Sequence, residues 1–178
     1  MSAITTDAFN ALIDSALPIA AQYNFHAETI GEGTARVRAP YNSDFMRPGG
    51  TISGPVMMAL TDFGMYAALM GAIGSVELAV TTNLNINFLR RPAPLDIVAD
   101  CRVMKLGKRL AVLEVKLYSD GDTAPIAHAT GTYSIPPDDV SSRQKPLLAL
   151  NWTRARSADT SPTRTLSSTS FSKERSGG

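Results

Sequence analysis

The run SGPVMMALTDFGMYAALM, residues 53–70, decides the fold of this chain. Ser53-Gly54-Pro55 reads as a helix opening: serine can cap, and proline fits a first turn that does not need its missing N–H. The apolar run then predicts a long helix to about Met70, ending near Gly71 or Gly74. Its apolar residues do not keep to one stripe, so the helix needs cover on most sides. Asp62 is the only charge between Arg47 and Glu77. A carboxylate among methionine, alanine and leucine is expensive to desolvate, which makes Asp62 a candidate for chemistry. The structural alternative is an Asp62 solvated at an edge or paired with an arginine from elsewhere.

Pro55–Ile73 also has the length of a membrane span. Asp62 near its centre would cost about 2.5–3.5 kcal/mol on insertion. Glycines fall within or just after the segment and no Lys/Arg cluster flanks it, so a helix inside a soluble protein is expected. The chain has 178 residues, room for one domain with a real core and a tail. Its 17 Lys and Arg against 16 Asp and Glu argue against charge-driven binding to nucleic acid or anionic membrane. Cys101 is the single cysteine, so neither an internal disulfide nor a Cys-built zinc site is expected, and a reducing, cytoplasmic setting fits. His26 and His128 are the only histidines and lack ligand spacing, so no metal is expected. Met1–Asp7 lacks a basic leader, so no signal peptide is expected.

Working outward, Ala3–Tyr23 has apolar positions at Phe9, Leu12, Ile13, Ala16, Leu17 and Ala20, a leading amphipathic helix interrupted at Pro18. His26–Ile30 and Thr34–Ala39 flank Gly31-Glu32-Gly33 as a hairpin. Pro40–Gly50 is loop-like. After the helix, Ala79–Leu89 alternates Leu84, Ile86 and Phe88 with Asn83, Asn85 and Asn87. Leu95–Leu106, Arg109–Tyr118 and Ile126–Ile135 follow, parted by turn residues, as an antiparallel meander. The prediction is an α+β fold: about six antiparallel strands wrapped around one long central helix, in a domain spanning 1–136. Residues 137–178 are Ser/Thr/Arg-rich and lack periodicity, which predicts a disordered tail. From Ser141 onward it holds seven Lys and Arg and two acids.

Gly50-Thr51-Ile52-Ser53-Gly54-Pro55, followed by Leu60-Thr61-Asp62, resembles the signature of hotdog-fold acyl-CoA thioesterases of the phenylacetate-pathway (PaaI-like) type. That family has roughly G-x-x-H-G-G, then an acid eight positions after the first glycine of the closing pair, the spacing of Gly54 and Asp62. The likeness continues through Leu84–Arg90, Lys105–Arg109 and Ala127–Tyr133. It implies the hotdog fold and hydrolysis of an acyl-CoA to an acid and free CoA, without metal or redox cofactor. By resemblance the Gly54 N–H, at the positive end of the helix, holds the thioester carbonyl. Asp62 acts as general base or as nucleophile, two roles the sequence does not separate. Thr81 falls where relatives carry a hydroxyl that orients the attacking water, although Thr81 and Thr82 are also ordinary strand formers. The site is completed by a neighbouring subunit, so a homodimer or homotetramer is implied.

Three positions depart from the family pattern: Ser53 replaces histidine, Pro55 the second glycine, and Arg47 asparagine. Ser53 either caps the helix or partly replaces the lost imidazole contact. Arg47 alters substrate contacts, pairs with Asp44 or Asp62, or marks lost activity. Arg90 and Arg91, with Lys105, Lys108 and Arg109 around Gly107, are candidate partners of CoA phosphates; as strand-end and turn charges they are otherwise solvated. Met46, Met57, Met58, Met65 and Met70 line a core or an acyl tunnel. His128 reads as a hydrogen-bonded structural residue. The alternatives to hydrolysis are a non-catalytic acyl-CoA-binding module and a hotdog dehydratase or hydratase, which needs a His paired with an acid.

Overall fold

The computed structural model describes residues 1–137. The expectations for residues 138–178 lie outside the described residues. The leading segment forms two helices instead of one interrupted helix, α1 (Thr6–Ala16) and α2 (Pro18–Tyr23). Thr5 caps α1 by accepting the Ala8 N–H at 3.2 Å. Pro18 has no N–H to continue α1, but it suits the first turn of a new helix, so the chain restarts at Leu17.

β1 (His26–Gly31) and β2 (Thr34–Ala39) form the expected hairpin, turning at Glu32-Gly33 with φ +69° at Gly33. The expected loop holds more structure than its composition predicts. A 3₁₀ turn covers Ser43–Phe45, and β3 (Met46–Arg47) pairs with β4 (Thr51–Ile52) in a small second sheet. Gly49 and Gly50 make its turn at φ +96° and +68°, a region other residues avoid.

The long helix α3 spans Gly54–Ile73, one turn beyond Met70, and stops at Gly74, whose N–H bonds the Met70 carbonyl at 2.9 Å. By length and composition α3 could cross a membrane, yet 67% of its most apolar stretch is buried within this fold. β5 (Val80–Phe88), β6 (Ile97–Leu106), β7 (Leu110–Ser119) and β8 (Ala127–Ser134) complete a six-stranded sheet in the order β1-β2-β6-β7-β8-β5. All its pairings are antiparallel.

The helix lies on one face of this sheet because glycines let the two approach. A Cβ on Gly64 would sit 2.3 Å from Cys101 Sγ, and one on Gly71 would sit 2.3 Å from the Gly31 carbonyl oxygen. Inward side chains Val37, Ala99, Cys101, Leu113, Val115 and Ala129 cover α3, with Leu60, Met65 and Leu69 fully buried beneath them. The opposite face of the sheet is charged and paired. Arg36 and Arg38 bind Glu28, Asp96, Asp100 and Asp120, and Arg102 binds Glu114.

Candidate active site

Asp62 stands on the one side of α3 that the sheet leaves partly open, near Pro55 and Met58. Its Oδ1 accepts two hydroxyl hydrogen bonds, from Thr81 at 2.5 Å and from Tyr133 at 2.7 Å. The Tyr133 oxygen also lies 3.1 Å from the Asp62 backbone carbonyl. Among the described residues, nothing bonds Oδ2. The carboxylate is therefore held by one oxygen and presented by the other.

The strand geometry explains how Thr81 reaches it. Leu84 and Ile86 pack toward the core while Asn83, Asn85 and Asn87 are exposed. Strict alternation would put Thr81 on the asparagine face. A bulge intervenes: Thr81 opposes Tyr133 while Asn83 opposes Thr132, leaving Thr82 as an extra residue. The parity shifts and Thr81 turns toward α3.

Tyr133 is the site residue that sequence reading missed. It is buried, and its ring stacks on Tyr66 at 6.3 Å between centroids. Burial, then the negative charge of Asp62, push its phenol pKa well above the ordinary tyrosine value, so it stays a protonated donor. A signal was present. The inward positions of β8 are Ala127, Ala129 and Gly131, then abruptly Tyr133, and a buried tyrosine needs a partner for its hydroxyl.

At the other end of the same face, α3 opens. Ser53 occupies the cap position with extended φ/ψ (−73°, 147°), but its side chain makes no capping hydrogen bond. The capping alternative for Ser53 is thereby corrected, and its hydroxyl is uncommitted among the described residues. Pro55 has no N–H, and the Gly54 N–H bonds no acceptor among the described residues. Gly54 is sterically tight as well, since an added Cβ would lie 3.3 Å from Phe88 Cζ.

A cleft of about 560 Å³ opens beside Gly54, between Met57, Phe88 and three arginines, Arg47, Arg90 and Arg91. None of the three has a carboxylate within 4 Å among the described residues, so Arg47 pairs with neither Asp44 nor Asp62. Arg36, Arg38 and Arg102 on the far face are all paired, so among the described residues the cleft is where unneutralised arginines gather.

Lys105, Gly107, Lys108 and Arg109 lie elsewhere, at the β6–β7 connection. Leu110 opposes Ser134, which opposes Val80, so this turn belongs to the Thr81 end of the sheet. Within one chain the two groups of cations thus flank opposite ends of β5 and share no cleft. Met57, Met65 and Met70 are buried, Met46 partly so, while Met58 is exposed on the Asp62 side. His128 does pair with an acid, Nε2 to Glu114 Oε1 at 2.9 Å, but on the sheet face turned away from α3. Glu114 is held below the usual carboxylate range by His128 and then Arg102. Among the described residues, His26 reaches only the Asn24 carbonyl, at 3.4 Å.

Comparison with known proteins agrees with this architecture. The family model described as "Thioesterase superfamily" matches residues 49–126. A "Putative esterase" of Saccharolobus solfataricus is 32% identical over 109 residues, covering 61% of this chain and 71% of that relative. The crystal structure of a "putative thioesterase" from Silicibacter sp. TM1040 is 37% identical with a TM-score of 0.71, covering 77% of this chain and 95% of that one. The E. coli PaaI protein from the phenylacetic acid degradation operon shares the fold at 18% identity and a TM-score of 0.65, covering 72% of this chain and 92% of its own. With a six-stranded antiparallel sheet around one central helix, this chain belongs to the thioesterase superfamily and has the hotdog fold.

Proposed function

We propose that the protein is an acyl-CoA thioesterase, hydrolysing R–CO–S–CoA to a carboxylic acid and free CoA. One observation carries the reading: among the described residues, Asp62 offers a single unbonded carboxylate oxygen on the same helix whose opening glycine offers an unbonded N–H. The Gly54 N–H, at the positive helix terminus, polarises the carbonyl and steadies the oxyanion. Asp62 Oδ2 either takes a proton from the attacking water or attacks the carbonyl carbon itself. Collapse of the tetrahedral intermediate expels the thiolate of CoA, a weakly basic leaving group. On the nucleophilic route this leaves an acyl–Asp62 anhydride, which water then hydrolyses to the acid and free Asp62.

The two groups cannot serve one carbonyl within one chain. Eight residues of α-helix separate them by about 12 Å along the axis, whereas each must come within about 3 Å of the reacting centre. Gly54 of one copy and Asp62 of another must therefore meet. The β5 strand supports such an assembly. Among the described residues it is a sheet edge with no neighbour, and Val80 and Phe88 on it are 57% and 49% exposed. Antiparallel pairing of two β5 strands would set the Thr81 end of one beside the Phe88 end of the other. Arg47, Arg90 and Arg91 of one copy would then approach the Lys105–Arg109 turn of the other, which suits a ligand with several phosphates. Arg47 and Asp62 form no ion pair, so Arg47 does not seal the Asp62 carboxylate from a substrate. The esterase and thioesterase names of the relatives fit a hydrolase, and the buried, unpaired Cys101 fits a cytoplasmic setting.

The test is thiol release from a panel of aromatic, short-chain and medium-chain acyl-CoAs. Asp62→Asn should slow release about 10²–10⁴-fold while acyl-CoA still binds. Tight binding with no release by either protein would replace the enzyme with an acyl-CoA-binding module, and release untouched by Asp62→Asn would remove Asp62 from the chemistry.

A further inference from the structure

Asp62 has a second support that no feature of the α3 motif announces. We propose that Tyr133 is a positioning residue: its hydroxyl, together with that of Thr81, pins Oδ1 of Asp62 and leaves Oδ2 as the only oxygen able to react. This inference rests on the thioesterase reading and adds to it the atom that acts and the side chain that selects it.

The geometry is cooperative. Thr81 on β5 and Tyr133 on β8 are register partners in adjacent strands, and both hydroxyls point at the same carboxylate oxygen. Two donors on one oxygen fill both of its lone-pair directions. The rotation that would exchange Oδ1 and Oδ2 then breaks two charge-assisted hydrogen bonds at once. The same phenol lies against the Asp62 carbonyl, so it fixes the backbone of this helix turn as well as the side chain. Stacking on Tyr66 holds the Tyr133 ring, and Tyr66 is itself tied to the Glu77 carbonyl at 3.3 Å.

A donor that lost its proton would repel Asp62 instead of holding it. Tyr133 is protected from this by burial and by Asp62 itself. The titratable groups that face Asp62 are Tyr133 from β8 and Tyr66 from the next turn of α3, with Glu77 beyond Tyr66; β5 presents the neutral Thr81. Burial and then Glu77 push Tyr66 up to about 12, so neither phenol ionises where the enzyme works.

Removing one of the two donors should leave Asp62 less well aimed. Tyr133→Phe keeps the stacked ring and deletes only the hydroxyl. The expected result is a kcat about 10–100-fold lower with KM within about 2-fold, since orientation of the base affects the reacting state and not substrate binding. Replacing Tyr133 with 4-fluorophenylalanine, which fills the hydroxyl's place without a donor, should lower kcat to the same extent with KM unchanged, and this variant stands in if Tyr133→Phe does not fold. Wild-type kcat in these proteins, alongside an inactive Asp62→Asn, would overturn the role of Tyr133 and leave the thioesterase reading intact. Activity surviving Asp62→Asn would instead bring down that reading.

Discussion

The two edges of the sheet are built differently. At β1 the backbone is already occupied: the Asn10 side chain from α1 accepts the Ala27 N–H at 2.9 Å and donates to the Ala27 carbonyl at 3.0 Å. Thr6 accepts the Ile30 N–H at 3.1 Å. A helix side chain thus imitates a neighbouring strand, and no further chain can add there. At β5, among the described residues, no side chain bonds the backbone, and the strand carries exposed Val80 and Phe88. An unprotected nine-residue edge invites uncontrolled strand addition unless it has an intended partner. On the proposed reading, with the candidate base and oxyanion donor about 12 Å apart, one edge closed and the other open would put the second copy at β5.

The sharpest way to break this contrast is to charge the open edge. Asn83→Asp, Asn85→Asp and Asn87→Asp together would set six carboxylates along one seam. Several facing like charges at about 0.5–1 kcal/mol each total about 3 kcal/mol, or roughly a hundredfold in dissociation constant. Sedimentation should show monomers, and specific activity should fall steeply and become dependent on protein concentration. A fully active monomer would end the two-copy site.

Mixing copies sharpens the same point with a smaller signal. Gly54→Pro deletes the proposed oxyanion donor, and the extended Ser53 before it tolerates a following proline. Gly54→Pro and Asp62→Asn proteins should each be nearly inactive. Unfolded and refolded together, half of the random dimers would be mixed, each with one intact site, so about a quarter of wild-type thiol release should return. No recovery, with mixed dimers verified by mass, would count against shared sites. The smallest effect is expected at the closed edge. Asn10→Ala should lower stability by about 1–3 kcal/mol in urea melts, because two backbone groups lose their partner. The active fraction should keep its kcat, and light scattering should report any strand addition at β1.

The fold was legible wherever one residue pattern ran long enough to declare its period. Residues 53–70 announced α3, and the Leu84/Asn85/Ile86/Asn87 alternation announced β5. The two-residue strands β3 and β4 were not legible, since a pair of residues has no period. The break between α1 and α2 was half legible, as Pro18 marked the place but not that a second helix starts there. In the site, Asp62 was visible because it was isolated, and Gly54 because the run around it resembles the family signature. Tyr133 was hidden by distance: it lies 71 residues from Asp62 and meets it only through strand pairing. The separation of the cations was hidden for the same reason, because chain order says little about which strand end a turn adjoins.

The extra residue Thr82 also affects how relatives should be aligned. A relative that lacks the bulge has one residue fewer between its hydroxyl and its Leu-x-Ile-x-Phe-like run, so an ungapped alignment would set that hydroxyl against Thr82. The hydroxyl would seem to have moved one place while occupying the same point in space. For this strand, equivalence between proteins is better judged by which side of the sheet a residue faces than by its column.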